Sequence, residues 1–198
     1  MKNNRFRPLL VAAFLIFLLT LPFLQSLFFS SGTQGSVVVN KEIKADYIKS
    51  DKKIILLFFG YAGCRYVCTP DLEKIADLYE SKELKGVKGK IDVFFVNLTP
   101  EAPEYAPELF AKSFNADFKG VYLSKNDILK IDRNFGLFFS DDLSEKGALN
   151  HSDNLYLIQN TSKEKVLKEI YFMHPLNTKK IVDDIISLDK TIKVSESR

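Results

Sequence analysis

Residues 53–70 read KIILLFFGYAGCRYVCTP. Lys53 to Gly60 is a continuous apolar run of strand length, the pattern of a central strand covered on both faces of a sheet. Gly60 ends it, and the Tyr61–Thr69 loop carries both cysteines, Cys64 and Cys68. Thr69-Pro70-Asp71 opens a helix. Thr69 suits its cap, Pro70 its first helical position, and Asp71 complements its dipole. Leu72, Ile75, Ala76, Leu78 and Tyr79 supply the apolar face. Ile91–Asn97 (IDVFFVN) is a second buried strand. A strand–helix–strand unit of this length predicts a parallel pair with a right-handed crossover.

Working outward, Ser36–Ile48 predicts one or two short strands. Pro103–Phe114 reads as a helix, and a short strand follows near Gly120–Leu123. Ser124–Phe135 reads as a second helix with Ser124 as its cap. Leu155–Ile158 and Val166–Phe172 are antiparallel strands joined by a polar turn at Asn160–Glu164. Leu176–Leu188 closes the domain as an amphipathic helix, with a frayed polar tail after Asp189. The order predicts an α/β, thioredoxin-like fold with one insertion: a central mixed sheet flanked by helices.

The other informative stretch is Leu9–Phe29, LLVAAFLIFLLTLPFLQSLFF. Roughly 20 apolar residues suffice to cross a bilayer as a helix. Lys2, Arg5 and Arg7 precede it, and positive flanks stay cytoplasmic, so the rest of the chain is expected outside the cytoplasm. The run exceeds a usual signal-peptide core and no clear A-x-A site follows, which favours one N-terminal transmembrane helix over a cleaved signal segment. A bacterial inner membrane, with the domain in the periplasm, fits better than a mitochondrial address, because no Arg- and Ser-rich transit segment is present. The expected organisation is an anchor at 1–30, a linker and N-terminal strands at 31–52, the main domain at 53–190, and a polar tail at 191–198. Beyond residue 30 basic and acidic side chains are equal in number. Such a domain has no bulk positive charge to draw it to nucleic acid.

Two cysteines four residues apart cannot staple a fold across a long loop. They suggest redox or metal chemistry, with a plain local disulfide as the bland alternative. At a helix N-terminus, unpaired N–H groups and the dipole favour thiolate over thiol. Arg65 adds a positive charge beside them, so both thiols are expected to be more acidic than free cysteine.

At this point the chain resembles the Sco/SenC family of copper-binding assembly proteins. The shared features are Cys64-x-x-x-Cys68 in the loop after the strand, and Asn150-His151-Ser152 ahead of Leu155–Ile158. The flanks IILLFFGYAGC, IDVFFVNLTPE and KIDRNFGLFFS match as well, and the likeness runs from about Lys53 to Leu188. There are departures. Arg65 and Thr69 stand where the family commonly has proline after each cysteine, Asn150 replaces an aspartate before the histidine, and Thr99–Pro103 replaces an acidic segment. The chain thus resembles a divergent member.

The resemblance implies that Cys64, Cys68 and His151 bind copper. Soft thiolates select Cu(I), and imidazole also accommodates Cu(II). Structural zinc usually wants four such ligands. The implied function is that of a metallochaperone passing copper to a copper-accepting subunit of cytochrome c oxidase or a related copper protein. The alternative is a membrane-anchored thiol–disulfide oxidoreductase, with Cys64 attacking and Cys68 resolving. Against that alternative, the spacing is not Cys-x-x-Cys and no thioredoxin-like cis-proline is obvious opposite the motif. Met173 is expected in the core, with His174 ending a strand before Pro175; a second copper-handling pair there is the lesser reading.

Overall fold

The apolar run after Lys53 forms strand β2 (Ile54–Gly60), and every one of its residues is buried. This computed structural model describes residues 8, 10, 11, 14, 16–20, 35–65, 67–141, 149–161, 163–172 and 174–196. Two units make up the chain, Met1–Gln34 and Gly35–Arg198. In the first unit the described residues are helical, and Leu10, Phe14, Phe17 and Leu19 are exposed. Among the described residues no helix is long and apolar enough to cross a membrane, and much of the Leu9–Phe29 run lies outside them.

The second unit is built on a six-stranded mixed sheet. Its strands are β1 (Ser36–Ile43), β2, β3 (Ile91–Asn97), β4 (Lys119–Val121), β7 (Leu155–Asn160) and β8 (Lys165–Tyr171), ordered β1-β8-β7-β2-β3-β4. β3 runs parallel to β2 in the register Ile54↔Ile91 to Gly60↔Asn97, with α1 (Cys68–Tyr79) as the crossover. β7 lies antiparallel on the other side of β2. A separate two-stranded ribbon joins β5 (Phe139–Asp141) to β6 (Leu149–His151).

Side chains alternate across β2. Ile54, Leu56 and Phe58 face Leu72 and Ile75 of α1 and Ile181 and Ile185 of α4 (Thr178–Glu196). Ile55, Leu57 and Phe59 face the opposite core with Phe135, Tyr156 and Leu167. There Phe59, Phe135 and Tyr156 meet edge to face, with centroids 5.2–5.4 Å apart. Each fully buried Leu, Ile or Phe contributes about 1.5–3 kcal/mol, so this strand is a main source of stability.

The predicted strands and the thioredoxin-like architecture are present, but several local expectations differ. The helix expected over 103–114 is α2 (Ala106–Lys112). The one expected over 124–135 is only α3 (Lys125–Ile128), capped by Ser124 as predicted. Asp132 then accepts from Asn134 N–H and Lys44 N–H, which turns the chain into a short 3-10 segment, Arg133–Phe135. α1 begins at Cys68, so Pro70 is its third residue, and Val67 at its cap makes no side-chain bond. Thr69 Oγ1 donates instead to Cys64 O at 2.7 Å. α4 continues to Glu196 where a frayed tail was expected. Ile192 is buried there, and Lys90 and Lys193 both pair with Asp189. The His174–Pro175 bond is cis, a conformation the sequence did not signal, and His174 lies against Asp71 of α1.

Candidate metal centre

The parallel strands β2 and β3 end together at Gly60 and Asn97, and the cysteine loop starts from that edge. Ligand sites of parallel sheets form beyond such carboxyl ends. Asn97 is fully buried and organises the turn. Its Oδ1 accepts from Ala62 N–H at 2.9 Å and from Thr99 Oγ1, while its Nδ2 donates to Thr99 O at 2.7 Å. Gly60 leaves room for sulfur: a Cβ there would stand 2.8 Å from Cys68 Sγ.

Cys64 and Cys68 are free thiols, both buried. Cys68 N–H, at the start of α1, points to Cys64 Sγ at 3.4 Å, so a sulfur stands where a capping oxygen would. His151 ends β6 and comes to the same place. Its Nε2 is 3.6 Å from Cys68 Sγ, and its Nδ1 lies 3.0 Å from Ser152 O. With Nδ1 donating to that carbonyl, Nε2 is left facing the sulfurs. Ser152 is held in turn by Phe138, whose N–H donates to Ser152 Oγ and whose carbonyl accepts from Ser152 N–H. Tyr61 meets the His151 ring edge to face at 6.1 Å. The donor atoms of Cys64, Cys68 and His151 all lie within 4.8 Å of one another. Residues far apart in sequence are thus brought together as predicted.

The two thiols are not equivalent, contrary to the expectation that both would be acidic. The Cys68 thiol donates to Cys64 and holds it well below the ordinary thiol range, against the opposing effect of burial; His151 and the Val67 and Cys68 backbone act with Cys68. The lowering owes nothing evident to Arg65, which is exposed. Cys68 moves the other way, because it gives that hydrogen bond and is buried beside a negative sulfur. Burial alone would lower His151, but the nearby Cys64 sulfur and the Ser152 carbonyl carry it above the ordinary imidazole value. The arrangement sets an acidic thiol beside an imidazole and a second, less acidic thiol, able to attack a disulfide as thiolate or to give up protons to a soft metal ion.

Residues 34–188 match the SCO1/SenC family. The chain belongs to that family. An SCO2-like protein of Rickettsia conorii is 27% identical over 136 residues, covering 64% of this chain and 63% of the relative. The chain therefore spans a little under two thirds of that relative's length. Among solved structures, copper-bound ScoI of Arabidopsis thaliana superposes with a TM-score of 0.59 at 18% identity, over 70% of this chain and 85% of the other. BsSco, described with a disulfide switch and as one of the Sco family of cytochrome c oxidase assembly proteins, superposes at 0.57 and 19% identity, over 76% and 94%. These likenesses establish the fold.

Sequence reasoning passed over Asn97, Asp71 and Asp153 as parts of this region. Asn97 was visible as a polar residue closing an otherwise buried strand. Asp153 had no local signal. His174 was weighed with Met173, which lies outside the described residues, whereas its neighbours are Asp71 and Asp153.

Proposed function

We propose that the chain is a copper metallochaperone. Cys64, Cys68 and His151 hold Cu(I) or Cu(II) and pass it by ligand exchange to a copper-accepting subunit of cytochrome c oxidase or a related copper protein. The observation that carries this is the convergence of two thiols and one imidazole within 4.8 Å. That donor set fits copper: two soft sulfurs suit Cu(I), and the imidazole extends the set toward Cu(II). Family membership and the copper bound to Arabidopsis ScoI support the same reading. The apolar N-terminal run anchors the chain in a bacterial inner membrane with the domain in the periplasm, which raises the effective concentration of donor near a membrane-embedded acceptor.

The test is copper content and Cu(I) affinity of the reduced full-length protein in detergent, beside Cys64→Ser and His151→Ala. One copper per chain, lost or sharply weakened in both variants, is expected. Tight binding indifferent to His151 would remove the three-ligand site.

The inequality of the two thiols favours a second reading, thiol–disulfide exchange. Cys64 thiolate would attack an acceptor disulfide, forming a mixed disulfide and releasing one acceptor thiolate. Cys68 would then displace the other, leaving a Cys64–Cys68 disulfide and a reduced acceptor. No copper, with such exchange persisting in His151→Ala, would select this reading.

A further inference from the structure

Next to the Cys64–Cys68–His151 cluster, His174 stands between two carboxylates. Its Nδ1 is 3.0 Å from Asp71 Oδ2, and its Nε2 is 3.3 Å from Asp153 Oδ2. Asp71 lies in the first turn of α1, three residues past Cys68, with its side chain only 5% exposed. Asp153 lies two residues past His151. One imidazole therefore bridges the two segments whose approach creates the cluster.

We infer that His174 is a positioning residue: it ties the His151 segment to the start of α1 and so fixes where His151 Nε2 stands relative to the cysteine sulfurs. This rests on the reading that the three side chains hold copper.

The His151 segment has need of such a tie. His151 ends a three-residue strand whose partner is the equally short β5, outside the main sheet. The chain rejoins that sheet only at Leu155. Between them, Ser152 bonds back to Phe138, just before β5, and Asn154 reaches Tyr156 Oη at 3.4 Å, in the core on the side of the sheet away from α1. Asp153 is the residue of this turn that reaches across, through His174, to the helix that begins with Cys68. His174 stands at the surface three residues past Tyr171, the end of β8, which pairs with Leu155. Partners that orient a metal-binding histidine commonly matter nearly as much as the ligand.

The same three groups have ligand atoms within 4.8 Å of one another, so a second ion is the competing use. The two ring nitrogens face different carboxylates, however. That is the geometry of a side-chain bridge, with Nδ1 hydrogen-bonded to Asp71 and Nε2 within ion-pair range of Asp153, because a chelated ion would take only one of them.

The test is a double-mutant cycle on the full-length protein in detergent: wild type, His151→Ala, His174→Ala and the double variant. Cu(I) affinity is read by competition with a chromophoric chelator, and stability by urea unfolding. His174→Ala should weaken Cu(I) about tenfold, the lower edge of the range for residues that orient ligands. In the His151→Ala background the further loss should be under about twofold, since the residue it positions is gone. The loss in stability should be alike in both backgrounds. His174→Gln, which keeps a donor, should recover part of the affinity.

An unchanged affinity in His174→Ala would overturn the inference, as would an equal loss in both backgrounds. So would a second copper per wild-type chain that disappears in His174→Ala, which would make the bridge an ion site. If His151→Ala itself leaves Cu(I) affinity intact, the ligand reading fails first and the inference falls with it, an outcome distinct from a failed bridge.

Discussion

Cys64 lies in the loop and Cys68 opens α1, and their acidities are pushed in opposite directions by who donates to whom. Cys68 is wholly buried and its thiol donates a hydrogen bond to the Cys64 sulfur, which also receives the Cys68 backbone N–H. Negative charge is then held on one sulfur, and a second ionisation meets both burial and a like charge. In the reduced, metal-free protein, thiolate absorbance should therefore persist on one sulfur far below the ordinary thiol value of about 8.5. Cys68→Ala should move that titration up. The sign for stability follows: a depressed acid stabilises the fold above its unfolded pKa, and the contribution is lost as pH falls through the folded value. The stability gap between the protein and Cys64→Ala should thus shrink on acidification from about pH 8.5, as measured by urea unfolding. His151 works in the opposite sense: its raised pKa stabilises below about 6.5, and that contribution is lost as pH rises through the folded value. The sequence showed which residues meet here but not this asymmetry. Helix position and Arg65 were legible; the burial of Cys68 and the arrival of His151 beside both sulfurs depend on tertiary placement.

Among the elements, the parallel pair β2–β3 determines where the cysteine loop begins, and Asn97 transmits that placement to it. Asn97→Ala would remove the acceptor of Ala62 N–H from a buried position. The expected loss is about 1–3 kcal/mol in urea unfolding, with weaker copper binding because the turn before Cys64 is released. Asn97→Asp keeps the Ala62 acceptor but sets a buried carboxylate oxygen against Thr99 O, so it should lose at least as much. β2, β3, β7, β8 and most of α4 were readable because each is a long apolar or amphipathic pattern backed by burial. Helix ends were not. α1 starts early because a sulfur serves the Cys68 N–H, and the chain after α3 tightens because Asp132 collects Lys44 and Asn134 N–H groups. α4 runs on because Asp189, remote in sequence from Lys90, pairs with it. Each of these depends on a partner that local propensity cannot see.

For the whole molecule, the proposed anchor would put the two units in different solvents. The second unit, Gly35–Arg198, holds both hydrophobic clusters and the Cys64–Cys68–His151 group. Expressed without residues 1–34, it should stay in the supernatant after high-speed centrifugation and keep its copper, whereas the full chain should sediment with membranes until detergent is added. A soluble full chain would count against the anchor. The family was recognisable because its chemistry rests on a few residues in a fixed strand context, even where prolines and acidic neighbours have changed. What the pattern could not supply was the His174 bridge, since Asp71, Asp153 and His174 are scattered along the chain.

The polarity of the strands also governs where the protein can be handled. Gly35 O accepts from Phe172 N–H, at the sheet end that carries Gly60 and Asn97. Asp189 of α4 pairs with Lys90, just before β3 begins, about 20 Å away along a seven-residue strand. A dye, affinity tag or surface linkage joined at Gly35 in place of residues 1–34 would enter at the sheet end that carries the sulfur–imidazole cluster. One placed on the last turn of α4 would leave that face free, and immobilised protein should then exchange cargo as it does in solution.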